Sequence, residues 1–239
     1  MIYVTSDLHG IHPEKFQDFL ERCGFTDGDF LFILGDVIDR GEHGIPLLLW
    51  LTQQSNMQLI LGNHEAFLLG CQFLFDEVTE ETQEVLGEEE LRMLKNWLRN
   101  GGSPTILGLQ SLFNRDPESV YGIVDYLKDA PLWEQAEAGG RNFILVHGGL
   151  GNFHPDKSMD SYTPHDLLWE RPDISCRYYS DATVIFGHTP TEFYGPEYKG
   201  RALHTDSWIC IDTGAACGGS PMLLRLDDMR EFYMDTQAQ

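Results

Sequence analysis

The strongest constraint on this chain is a repeated unit. A short apolar run is released each time into a turn rich in glycine, aspartate and histidine. Ile2-Tyr3-Val4 leads into Asp7-Leu8-His9-Gly10. Phe30 to Leu34 leads into Gly35-Asp36-Val37-Ile38-Asp39-Arg40-Gly41, and Leu59 to Leu61 into Gly62-Asn63-His64-Glu65. The segments between are helical in pattern. Pro13 stands near a helix start, Phe16, Phe19, Leu20 and Cys23 fall on one face, and Gly24 suits the stop. Gly44 to Gln54 reads as a second helix. This βαβαβ rhythm argues for a parallel sheet at the core of an α/β fold.

From Glu65 to about Pro131 the strand signal fades. Helix-length patterns take over, together with an acidic stretch through Glu77, Glu80, Glu81, Glu84, Glu88, Glu89 and Glu90. We read this region (about 65–131) as a helical insertion and the acidic run as a solvated helix face. Strands are expected again at Phe143 to Val146, Thr183 to Phe186, Ile209 to Ile211 and Met222 to Leu226. No repeat, low-complexity linker or boundary interrupts the 239 residues, so one domain over 1–239 is expected, long enough to bury a sizeable core.

Composition narrows the partners. The formal net charge of −22 disfavours a nucleic-acid duplex, whose binding depends on basic surface. The five cysteines are scattered, with no CxxC pair, which points to free thiols in a reducing compartment. No secretory leader pattern opens the chain, and no run of about twenty apolar residues exists to span a membrane. A cytoplasmic location with no membrane partner is therefore expected. Oligomeric state is not readable.

Two later strands also end in polar turns, His147-Gly148-Gly149 and Gly187-His188-Thr189-Pro190. Sites in open α/β sheets form at the carboxyl ends of strands. Five strand ends thus deliver aspartate, histidine, asparagine and arginine to one edge. Each turn alone has a bland explanation as a helix cap or a buried histidine; their conjunction does not. Carboxylate, imidazole and amide oxygen suit divalent metals such as Mn, Fe, Zn or Mg. Asp7 and His9, two apart on an extended chain, can point to one side. Asp36, near the middle of the set, could bridge two ions. Such ions, about 3.5–4 Å apart, can bind a phosphoryl oxygen and generate a hydroxide nucleophile. Arg40 offers the planar fork that matches phosphate.

In order and spacing these turns resemble the metallophosphoesterase signature GDxHG…GDxxDRG…GNHE…HGG…GHT, of the calcineurin-like superfamily. Ser6 replaces the first glycine. The stretch 209–219 resembles a closing strand of bacterial members. The resemblance implies a four-layer α/β/β/α sandwich of two mixed sheets. It implies Asp7 and His9 as ligands of a first metal, Asp36 as the bridge, and Asn63, His147 and His188 as ligands of a second. It further implies His64 as general acid, Asp39 as its orienting partner and Arg40 as a phosphate clamp. Leu168-Trp169-Glu170-Arg171 resembles the family's WxR stretch, making Arg171 a candidate second clamp. Two divalent ions are expected, manganese first, with iron or zinc as alternatives.

Within the superfamily, the GHxH ending of many phosphodiesterases is absent. Asp39 is present where symmetrical dinucleoside-tetraphosphate hydrolases typically lack it. Trp97-Leu98-Arg99-Asn100-Gly101-Gly102 resembles bacterial protein-phosphatase relatives, and the eukaryotic SAPNYC loop is missing. The leading expectation is a phosphomonoesterase of the protein serine/threonine phosphatase type, acting on a phosphoprotein. The alternatives are a hydrolase of dinucleoside polyphosphates or other small phosphate esters, and a non-catalytic binding module on the same fold.

Overall fold

The computed structural model describes residues 1–75 and 87–234. In chain order the first elements are β1 (Ile2–Thr5), α1 (Pro13–Arg22), β2 (Phe30–Ile33), α2 (Gly44–Leu51), β3 (Met57–Leu59) and α3 (Asn63–Gly70). The helical region continues with α4 (Glu88–Arg99), α5 (Ser103–Phe113) and α6 (Pro117–Asp129). Then come β4 (Trp133–Ala138), β5 (Arg141–Val146), α7 (Pro164–Leu168), β6 (Thr183–Phe186), β7 (Leu203–His204), β8 (Trp208–Cys210), β9 (Met222–Arg225) and β10 (Arg230–Tyr233).

The strands form two mixed five-stranded sheets, ordered β10-β9-β1-β2-β3 and β4-β5-β6-β8-β7. Parallel strands occupy the working part of each sheet, with Val4 opposite Phe32 and Ile185 opposite Ile209. Antiparallel strands close three of the four edges, and β3 closes the fourth in parallel pairing with β2. The period-2 alternation of strand side chains decides what each face buries. Val4, Phe32, Leu145, Ile185, Ile209 and Leu224 meet between the sheets. Their neighbours Tyr3, Leu31 and Ile33 turn outward onto Phe16, Phe19, Leu48 and Leu51 of α1 and α2, and into one core with Trp97, Val120 and Leu127 of the insertion. On the far side, Ile144, Val146, Val184, Phe186 and Trp208 pack with Leu167 and Tyr178. The expected sandwich of two mixed sheets flanked by helices is what forms.

Several boundaries differ from expectation. β3 runs over Met57–Leu59 rather than Leu59 to Leu61, because Leu61 donates its amide to Pro131 O at 2.9 Å and so leaves the ladder. The second helix stops at Leu51. The closing strands are Trp208–Cys210 and Met222–Arg225, each shorter or shifted by a residue. β4, β7 and β10 were not expected. β4 reads WEQAEA, with Gln135 and Glu137 exposed as suits an edge strand, and its signal lay in the Gly139-Gly140 turn. Both glycines there have positive φ, as a two-residue hairpin demands.

The region 65–131 holds only helices and a 3₁₀ turn among the described residues, though α3 begins two residues earlier than expected, at Asn63. Glu77, Glu80, Glu81 and Glu84 lie outside the described residues. Glu88 and Glu89 are exposed in the first turn of α4, where negative charge suits the helix dipole. Among the described residues no helix is long and apolar enough to cross a membrane.

Candidate metal centre

The five predicted turns do converge. Asp7 and His9 follow β1, Asp36, Asp39 and Arg40 follow β2, Asn63 and His64 open α3, His147 follows β5, and His188 follows β6. Of the eight non-glycine residues with positive φ among the described residues, six are Asp7, His9, Asp36, Asp39, Arg40 and His188. Left-handed backbone is costly for such residues, at about 1–3 kcal/mol each, and concentrates where side chains must be aimed. The count separates this edge of the sandwich from every other loop.

The imidazoles are oriented from behind. His9 donates from Nδ1 to Ile38 O at 3.1 Å, and His147 from Nδ1 to Leu34 O at 2.6 Å. With Nδ1 so engaged, each Nε2 carries a lone pair into the site. Burial keeps both neutral: His9 is pulled down to about 3 and His147 is also lowered. His188, likewise buried, falls to about 2.

Those lone pairs face other acceptors. His9 Nε2 lies 3.8 Å from Asp36 Oδ2 and 4.0 Å from Asp7 Oδ1. His147 Nε2 lies 3.4 Å from Asp36 Oδ1 and 2.9 Å from Asn63 Oδ1. His188 Nδ1 lies 2.8 Å from the same Asn63 oxygen. Acceptors held this close repel unless a cation sits among them. Asp7, Asp36, Asp39, Glu65 and Asp212 are also all buried. Burial, then the Asp212 and Asp36 carboxylates, drive Asp7 well above its ordinary range. Burial likewise pushes Asp212 up to about 7. Burial would raise Asp36 too, but the imidazoles of His147, His64, His9 and His188 outweigh it and hold it low.

The donor set therefore fits two divalent cations sharing Asp36. Ligand atoms of His9, Asp36 and His64 lie within 4.8 Å of one another, as do those of Asp36, His147 and His188. His64 sits geometrically in the first group, yet its Nε2 already faces the Arg40 guanidinium at 3.3 Å, a poor neighbour for a metal ligand. Asp7 is held with both carboxylate oxygens accepting the His188 N–H, at 3.2 and 3.0 Å.

Around His64 a second arrangement takes shape. His64 donates from Nδ1 to Asp39 Oδ2 at 2.5 Å. Burial works to lower the His64 pKa, but the Asp36 and Asp39 carboxylates prevail and raise it. The same Asp39 oxygen accepts from Trp97 Nε1 at 2.7 Å, and the other accepts from Thr105 Oγ1 at 2.5 Å. Trp97 and Thr105 belong to the helical insertion. The loop between them also holds Arg40, whose amide donates to Gly101 O at 2.9 Å. Gly101, at φ +98°, lies where a Cβ would come 2.8 Å from Arg40 Cγ, and a Cβ on Gly102 would lie 2.6 Å from the Trp97 indole. Only glycine at both positions lets the loop press this closely.

Arg171 lies beyond the end of α7, exposed, with Nη1 donating to His188 O at 3.4 Å and Thr189 Oγ1 at 3.2 Å. The structure thus puts it against His188 and Arg40 against His64. Glu65 had been assigned no role. It is fully buried and accepts from the amides of Asp36 (2.8 Å), Val37 (2.9 Å), Ile38 (3.3 Å) and Gly62 (3.1 Å). This carboxylate ties the Asp36 loop to the first turn of α3. Its signal was an acid at the third helical position, as in a capping box. Trp97 and Thr105 were missed because nothing local marks a contact spanning the insertion.

The Trp97 bond can be removed without losing its ring. Trp97→Phe is expected to lower turnover of an alkoxide-leaving substrate about tenfold or more, since a hydrogen bond to a charged group contributes about 1.5–3 kcal/mol. The loss should be smaller on nitrophenyl phosphate. An unfolding midpoint measured alongside separates this from general destabilisation.

The model of the calcineurin-like phosphoesterase family matches residues 1–216, and the chain belongs to that family. A symmetrical bis(5'-nucleosyl)-tetraphosphatase from Chromobacterium violaceum is 32% identical, with 99% of this chain and 96% of the relative covered. One from Nitrosomonas europaea is 25% identical, with 97% of each covered. An asymmetrical bis(5'-nucleosyl)-tetraphosphatase from Geobacillus thermodenitrificans is 24% identical, with 95% and 91% covered. In fold, the chain is similar to a protein serine/threonine phosphatase from Saccharomyces cerevisiae. That structure has a TM-score of 0.56 and 13% identity, with 97% of this chain and 78% of the other covered.

Proposed function

We propose that this chain hydrolyses dinucleoside polyphosphates, cleaving a phosphoanhydride bond at a dinuclear centre, with manganese the first metal to test. The observation that carries this reading is the near-complete coverage of relatives named as bis(5'-nucleosyl)-tetraphosphatases. It is the alternative raised from the sequence, and the relatives favour it over the protein-phosphatase expectation.

In this proposal Asp7, His9 and Asp36 hold one cation and Asp36, Asn63, His147 and His188 the other. When bound, such a pair lowers the pKa of a water and draws charge off the phosphoryl oxygens. The chain's own groups do the rest. Arg40 and Arg171 stand at two sides of the centre, placed to hold an extended anion through charge-assisted bonds. His64 holds a proton at Nε2 for the leaving oxygen, while its Nδ1–H stays bonded to the Asp39 carboxylate. A proton at Nε2 also frees the Arg40 guanidinium from its present contact, toward phosphate.

Arg40→Ala is expected to raise KM for phosphate substrates while both metals stay bound, because Arg40 is a donor to phosphate and not a ligand. Loss of metal together with activity would give it a structural role instead. The reading as a whole is tested by metal-loaded enzyme offered diadenosine tetraphosphate and a phosphoserine peptide side by side. Preference for the dinucleotide is expected; exclusive turnover of the phosphopeptide would replace this function with the second reading. That second reading, a protein phosphatase, draws support from one feature: the braced Asp39–His64 pair, which matters most when the leaving group is a basic alkoxide.

A further inference from the structure

Beside Arg171 lies a cleft of about 390 Å³, lined by Arg171, Pro172, Asp173, Ile174, Thr189, Phe193 and Tyr194. Phe193 is 70% exposed and Ile174 is 42% exposed, and Phe193 is the most exposed large hydrophobic residue among those described. A bare aromatic ring in a concave site is a recurrent mark of ligand binding. We propose that this cleft is the nucleobase subsite: a purine of the substrate stacks on Phe193 while its phosphate chain runs past Arg171 to the metals. The inference rests on the dinucleoside-polyphosphate reading above.

One end of the cleft is located by its cation. Thr189 directly follows His188, and Arg171 bonds both residues through Nη1, so the cationic end adjoins the metal centre. Its Nε and Nη2 donate to nothing among the described residues and are free for phosphate oxygens. The lining also holds Asp173, whose Oδ1 accepts from the Ser175 amide at 2.9 Å and hydroxyl at 2.6 Å. An exposed carboxylate repels phosphate but accepts from a ribose hydroxyl or an exocyclic amine. Cation, acid and aromatic ring, all in one lining, are the partners that phosphate, sugar and base call for. A polyphosphate alone would have no use for the last two.

The test compares wild type, Phe193→Ala and Phe193→Trp as metal-loaded enzymes. It measures KM for diadenosine tetraphosphate beside the inhibition constant of inorganic tetraphosphate, which has no base. Phe193→Ala should raise KM about 5- to 150-fold, the range that stacking of one base on an aromatic side chain supplies. The inhibition constant should hold, and Phe193→Trp should restore KM. Since Phe193 is largely exposed, the fold should tolerate both changes. Wild type active on the dinucleotide with KM unmoved in Phe193→Ala overturns the subsite and leaves the function standing. Wild type that hydrolyses nitrophenyl phosphate but not the dinucleotide overturns the function, and the subsite with it. An equal KM rise on a phosphoserine peptide would make the cleft a peptide surface and also overturn the subsite.

Discussion

Asp36→Asn is expected to abolish turnover and weaken both metal sites together. Asp36 is the one residue common to both candidate ligand groups, and its low pKa keeps it anionic. An amide cannot neutralise two cations, so the loss should exceed the about 10–100-fold typical of groups one shell further out. Metal content per chain is the direct measurement, with activity recorded on the same sample. Two metals retained with near-normal turnover would show that Asp36 does not bridge. The companion control is chelation: wild type stripped of metal should be inactive and recover with manganese.

His64→Asn is the second large effect, and its size should depend on the leaving group. General acid catalysis contributes about 10²–10⁴-fold where the departing oxygen needs a proton. A serine alkoxide needs one badly. A nucleotide phosphate, with its last pKa near about 6, needs one far less. The variant should therefore lose most on phosphoserine peptide and much less on diadenosine tetraphosphate or nitrophenyl phosphate. Asp39→Asn should follow the same ranking, since Asp39 raises the proton affinity of His64. Equal losses on all three substrates, with both metals bound and chemistry limiting the rate, would remove His64 from the acid role.

Much of the site could be read from the sequence because its residues follow strands directly, as Asp36 follows β2 and His147 follows β5. An apolar run then a polar turn is a local pattern, and local patterns are visible in one dimension. The same holds for the core of both sheets. Edge strands were less legible: β4 carries Glu134, Gln135 and Glu137 among its six residues and β10 begins at Arg230, so neither shows an apolar run. Glu65, Trp97 and Thr105 stayed hidden for another reason. Each acts through backbone or side-chain bonds to distant segments, and no spacing rule encodes them. Substrate choice was least legible. The strand ends gather a donor set that fits a metal centre, whereas nothing in their spacing distinguishes a phosphoprotein from a dinucleotide.

The brace that Trp97 and Thr105 give Asp39 has a consequence for the order in which this enzyme fails. The candidate ligands His147 and His188 follow strands of the second sheet, whereas Asp39 takes two of its hydrogen bonds from α4 and α5. Proteins open in cooperative pieces, and such peripheral helices can detach at less than the global cost. Partial opening of the insertion would leave the metals in place while Asp39 and Arg40 lose their anchors. Mild denaturant or heat should then silence slow, proton-demanding substrates first, at a stage where nitrophenyl phosphate is still cleaved.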